Sequence, residues 1–123
     1  MKIEETLKKP TLKDFEFFQK CCLEYADKFE LNNWTFRFHF EKDKNEKFEG
    51  GKIIRNLDQS QADIYLDPTY LMNEKEIQKT AKHEIIHCLL GGLYILGRSR
   101  YLTESEIDRE EEGLVHKLEK LLL

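Results

Sequence analysis

The chain has 123 residues with 20 basic and 24 acidic side chains, a net charge of −4, 40% hydrophobic and 36% charged residues. That length suits one domain with a core of its own, without metal or disulfide staples. The charge balance excludes the basic stripe of a nucleic-acid binder and offers little to an anionic membrane, and no run approaches the roughly 18 apolar residues of a membrane span.

Residues 1–10 are charged, end at Pro10 and read as a loose lead-in. Met1-Lys2-Ile3-Glu4-Glu5 lacks the apolar stretch of a secretory signal, so a cytoplasmic protein is expected. Thr11 with Asp14 predicts the cap of a first helix running to about Glu30. Leu12, Phe15, Phe18 (or Phe17), Cys22, Tyr25 (or Ala26) and Phe29 recur at helical spacing and predict its core stripe. Cys21 and Cys22 are helix neighbours whose side chains diverge, which disfavours a bridge between them. With Cys88 the cysteine count is odd, and reduced thiols are the simplest account.

Leu31-Asn32-Asn33 predicts a turn. Trp34 to Glu41 then alternates, with Trp34, Phe36, Phe38 and Phe40 on one side and Thr35, Arg37, His39 and Glu41 on the other, which predicts a half-buried strand. His39 falls on the polar face and reads as an exposed strand histidine. Residues 42–50 are polar and end in Gly50-Gly51, which predicts a long hairpin loop before a second strand, Lys52 to Leu57. Asp58-Gln59-Ser60 turns the chain into a third strand, Ala62 to Asp67, stopped by Pro68. Three strands joined in this way predict a small, mainly antiparallel sheet, and with the helices an α+β fold.

Asn73 with Glu76 predicts a capping-box start for a helix from Glu74 to Leu90, with apolar spacing that favours continuation beyond Gly91-Gly92. This helix carries His83-Glu84-Ile85-Ile86-His87. Two imidazoles four residues apart fall on one helix face and can bind one small cation. The glutamate beside the first can hold and deprotonate a metal-bound water. H-E-x-x-H on a helix is the zinc metallopeptidase signature. Cys88, next to His87, is rotated about 100° from it and reads as core.

A loop from Gly97 to Leu102 is expected to lead to a last helix over about 104–122, opened by Thr103 with Glu106. Catalytic zinc takes three protein ligands, so the two histidines need a partner. His116 lies roughly 160° by helical phase from the centre of the stripe that Ile107, Leu114, Val115, Leu118, Leu121 and Leu122 define. The extended metzincin pattern is absent, because Leu90 and Leu93 occupy its glycine and last-histidine positions. A carboxylate is therefore expected, from Glu104, Asp108, Glu110, Glu111 and Glu112. Phase favours Glu111, near the middle of the stripe. Glu112 lies on the stripe's flank, where a ligand more readily meets a water-filled cleft, and periodicity does not decide between them.

The whole chain resembles the compact zincin-like metallopeptidases common in bacteriophage and prophage genomes, small relatives of the gluzincin and SprT-like groups. The likeness rests on the leading helix, the strand opened by Asn33-Trp34, the strand Ala62 to Leu66, His83-Glu84-Ile85-Ile86-His87, and the final Glu112-Gly113-Leu114-Val115-His116-Lys117-Leu118. The resemblance implies a single zincin-like domain over 1–123, a cytoplasmic zinc-dependent hydrolase of peptide bonds, and Glu112 as the third ligand beside His83 and His87. The gluzincin spacing E-x-x-x-D is also matched by Glu104 and Asp108.

Glu84 is then the general base acting on a zinc-activated water, with Tyr101, Arg98 and Arg100 as candidate donors to the oxyanion. The substrate is a peptide or protein, with no nucleic acid or membrane partner. The alternative is a phage-encoded regulator on the same scaffold that works through protein–protein contact. A purely structural zinc site ranks last, since such sites are usually closed by four protein ligands.

Overall fold

The structure, a computed structural model, describes residues 6–42, 50–91, 108–109, 111–113 and 115–116. Helix α1 spans Leu12–Lys28. Its start is fixed by a reciprocal capping box: the Asp14 amide donates to Thr11 Oγ1 at 3.2 Å, and the Thr11 amide donates to Asp14 Oδ2 at 2.9 Å. Of the expected stripe, Phe18, Cys22 and Ala26 are buried and Phe15, Tyr25 and Phe29 pack against them. Leu12, at the first helical position, instead faces solvent with 70% of its surface exposed.

Strands β1 (Thr35–His39), β2 (Gly51–Asn56) and β3 (Gln61–Leu66) form one three-stranded sheet in the order β1-β3-β2. The pair β2–β3 is antiparallel, with Ile53 opposite Ile64, and is closed by a turn in which Ser60 takes a φ of 53°. The pair β1–β3 is parallel, with Phe36 opposite Ala62 and Phe38 opposite Ile64. The sheet is therefore mixed, which corrects the expected mainly antiparallel sheet and the expected hairpin between the first two strands. The reason is burial. Strand β3 turns Ala62, Ile64 and Leu66 fully inward and takes the centre, where it gains a neighbour on both sides. Alternation within each strand says which face is apolar and nothing about which strand lies between the others.

Helix α2 spans Glu74–Leu89 with a second reciprocal capping box, Asn73 with Glu76. It packs against α1 and against β2. One apolar core fills the space between the helix pair and the inner sheet face, built from Phe18 and Cys22 of α1, Ile64 and Leu66 of β3, and Ile77, Ala81, Ile85 and Cys88 of α2. The three cysteines are buried free thiols. Burial keeps the Cys88 thiol protonated, with its pKa pushed up to about 12. The described residues 108–109, 111–113 and 115–116 are helical, with Val115 fully buried. The expected continuation of α2 beyond Gly91, the connecting loop, the start of the last helix and residues 117–123 lie outside the described residues. Among the described residues no helix is long and apolar enough to cross a membrane.

Candidate metal centre

Helix α2 divides its sides between core and cleft. Ile77, Ala81, Ile85 and Cys88 enter the core, and one turn apart His83 and His87 leave from another side, with ring centroids 5.1 Å apart. Against them stands the C-terminal helical segment. Glu112 Oε1 lies 2.8 Å from His87 Nε2 and 3.6 Å from His83 Nε2. One ring nitrogen from each histidine and one Glu112 oxygen all fall within 4.8 Å of one another.

Two imidazoles and one carboxylate are the His₂Glu donor set of catalytic zinc, whose donors at bond lengths of ~2.0–2.2 Å sit roughly 3.3 Å apart when tetrahedral. The donor set is of the right chemical type, and the three side chains are close enough together that they could hold such a cation. Asp108 is helical and exposed and has no place in the cluster. Glu104, Glu110, Arg98, Arg100 and Tyr101 lie outside the described residues.

Glu111, the residue favoured by helical phase, occupies a different position. Its carboxylate is buried and lies 2.6 Å from His87 Nδ1, the ring nitrogen turned away from Glu112. Arg55 of β2 meets it there. Arg55 Nη1 lies 3.0 Å from both Glu111 oxygens and donates to the His87 carbonyl at 2.7 Å. Burial works against charge at both His87 and Glu111, but their contacts outweigh it. The hydrogen bond to Glu111 and the nearby Glu84, Glu112 and Glu111 charges raise the His87 pKa. The His87 hydrogen bond and the Arg55 charge hold Glu111 below the usual range.

Glu84, the central residue of the motif, is buried at 6% exposure. It stands where β2 begins. A Cβ placed on Gly51 would lie 3.3 Å from Glu84 Oε2 and 2.5 Å from Thr80 Cγ2, so the strand backbone runs unusually close to α2. A cleft of about 440 Å³ opens at this point, lined by Gly50, Gly51, Tyr70, Met72, Thr80, His83, Glu84 and His116 among others.

His116 thus belongs to the cleft, with its ring 5.3 Å from that of His83. The expectation that it points away from the last helix's apolar stripe agrees with its exposure, and the cleft lies on that exposed side. The spacing of Glu112 and His116, four residues like His83 and His87, carried this signal: both members of each pair share a helix face. Arg55 had no comparable signal beyond its place on the inward face of β2. His39, expected to be exposed, is half-buried on the outer sheet face, 2.8 Å from Asp63 Oδ1 and stacked on Tyr65.

Compared with protein-family models, with curated proteins and with solved structures, the chain finds no match.

Proposed function

We propose that this protein is a zinc-dependent metallopeptidase of zincin-like type, with His83, His87 and Glu112 as ligands and Glu84 as general base. The observation that carries the reading is the company Glu84 keeps: a buried carboxylate at the wall of an open cleft, one residue from a two-histidine, one-carboxylate donor set. A site built only to stiffen the fold needs no such base.

His83, His87 and Glu112 would hold the zinc, which would supply Lewis-acid polarisation of a carbonyl and a water of lowered pKa. Glu84 takes the proton of the attacking water and returns it to the leaving amine. His116 reaches the same cleft from the C-terminal helical segment, beside His83, and is a candidate N–H donor to charge developing on the substrate oxygen. An extended peptide would lie along a sheet edge beside the cleft, paired as an added strand.

The test is peptide cleavage with and without chelator, alongside zinc content. Glu84→Gln should hold zinc at the wild-type ratio and lose turnover by roughly two orders of magnitude or more, the scale of a lost general base. His83→Ala, His87→Ala and Glu112→Ala should each lose the metal. A zinc-loaded wild type that cleaves no member of a broad peptide library would reject the peptidase in favour of a protein-binding module on the same scaffold.

A further inference from the structure

Three separate elements meet in one buried cluster around the His87 ring and the Glu111 carboxylate. His87 comes from α2, Glu111 from the C-terminal helical segment, and Arg55 from β2, and their side chains are only 14%, 6% and 14% exposed. A carboxylate only accepts hydrogen bonds, so at 2.6 Å from Glu111 Oε2 the Nδ1 atom of His87 must be the donor. By the same rule Nε2, 2.8 Å from Glu112 Oε1, also carries a hydrogen while no cation is present. A neutral imidazole has one N–H and one lone pair; a metal would displace that second hydrogen and take the lone pair on Nε2, while Glu111 keeps the hydrogen on Nδ1. Arg55 completes the arrangement from behind. It neutralises a carboxylate that is otherwise buried, and through the His87 carbonyl it ties the same guanidinium to the backbone of the metal-bearing helix.

We propose that Glu111, anchored by Arg55, is a positioning residue that fixes the tautomer and orientation of His87 and presents its Nε2 to the metal. The inference rests on the metal reading above and adds a role that the motif does not contain. It also explains why adjacent glutamates divide the work. Both Glu111 oxygens are engaged by Arg55, one of them also by His87, which leaves Glu112 to face the cation. Outer partners of this kind typically hold metal affinity up by roughly 10–100-fold. Replacing Glu111 by glutamine keeps the shape and inverts the chemistry. Arg55 still claims the amide oxygen, and the amide N–H₂ is turned towards Nδ1, which favours the tautomer whose Nε2 carries the hydrogen.

The experiment measures zinc affinity by competition with a chromophoric chelator for the full-length wild type, Glu111→Gln, Arg55→Lys and Glu112→Ala, with the melting temperature of each in chelator as the folding control. Glu111→Gln should weaken zinc roughly 10–100-fold, with the metal-free protein still folded and the visible bands of the cobalt-substituted protein keeping their positions, because the ligands are unchanged. Arg55→Lys should weaken zinc in the same direction and by less, since it keeps the charge and loses the forked donor geometry.

A second readout does not depend on any variant folding. In the zinc-loaded wild type, nitrogen-15 NMR should show His87 bound through Nε2, with a slowly exchanging proton on Nδ1. Metal on Nδ1, an Nδ1 proton exchanging as fast as that of a solvated imidazole, or unchanged zinc affinity in Glu111→Gln would each overturn the positioning role and leave the metal reading intact. Absence of zinc binding by the wild type itself would overturn both.

Discussion

Asp63 shows how a single charge is set on the outward face of the sheet. Its carboxylate accepts hydrogen bonds from Arg37 at 3.1 Å and lies 2.8 Å from His39 Nε2. Partial burial disfavours its charge, but the hydrogen bonds to His39 and Arg37 prevail and hold it below its ordinary pKa of 3.8. A carboxylate whose folded pKa is depressed stabilises the fold above its unfolded value, and that contribution disappears as pH falls through the folded value. Asp63→Asn should therefore lower stability at neutral pH by no more than about 1 kcal/mol, since these side chains remain partly exposed. The gap between variant and wild type in urea unfolding should close in strong acid; a gap independent of pH would refute the assignment. At this scale the sequence was informative about residue types and poor at directions. Helical phase placed Glu111 at the centre of the buried stripe, and it is buried, but a buried carboxylate needs a partner to neutralise it, and that partner, Arg55, is 56 positions away. Periodicity sees one helix at a time and cannot see the cation that another element delivers.

The ends of α1 and α2 were legible because capping is local chemistry. Thr11 with Asp14 and Asn73 with Glu76 satisfy amides within three residues of themselves, and both boxes form. Strand faces were legible for the same reason: Phe36, Phe38, Ala62 and Ile64 turn towards the core as alternation requires. The order of the strands was not, because it is decided by which strand gains most from two neighbours, a property of the assembled sheet. The contact between β2 and α2 is likewise a tertiary fact, and two adjacent glycines separate its causes. At Gly50, with φ of 81°, a Cβ meets Tyr70 and Met72 at 3.6–3.7 Å, so the cost of alanine there is backbone strain of about 1–2 kcal/mol. At Gly51 a Cβ would stand 2.5 Å from Thr80 Cγ2, on a short branched side chain with little freedom to swing aside, and 3.3 Å from Glu84 Oε2. Gly51→Ala should cost about 1–3 kcal/mol by overpacking and should also displace Glu84, which on the proposed peptidase reading lowers kcat in protein that is still folded and zinc-loaded. Gly50→Ala should lower thermal stability and leave kcat of the folded fraction near wild type. Equal kcat in the two variants would show that the strand does not set the position of Glu84.

Across the whole molecule, the core joins α1, α2 and the sheet, and the described residues of the C-terminal helical segment meet them through burial and ion pairs. Val115 is buried, Glu111 meets His87 and Arg55, and Glu112 faces both histidines of α2. A cation held by His83, His87 and Glu112 would cross-link that segment to α2, and α2 in turn supplies Ile77, Ala81, Ile85 and Cys88 to the shared core. The unfolded chain separates these ligands, so zinc held there would bind the native state preferentially and its binding energy would become folding energy. At free zinc about 100-fold above Kd the stabilisation is ~2.7 kcal/mol, which in a domain of this size corresponds to a rise in Tm of roughly 10 °C. Zinc-loaded protein should melt higher than chelated protein by that amount, and the difference should grow by equal increments with each tenfold increase in free zinc. In His87→Ala the two curves should coincide, because the remaining pair of ligands cannot bridge the helices with comparable affinity. Glu84→Gln should keep the full shift, since the base adds nothing to the donor set. A Tm indifferent to saturating zinc in the wild type would mean that the two helices are held together by packing and ion pairs alone, and that the His83, His87 and Glu112 cluster does not act as a metal centre.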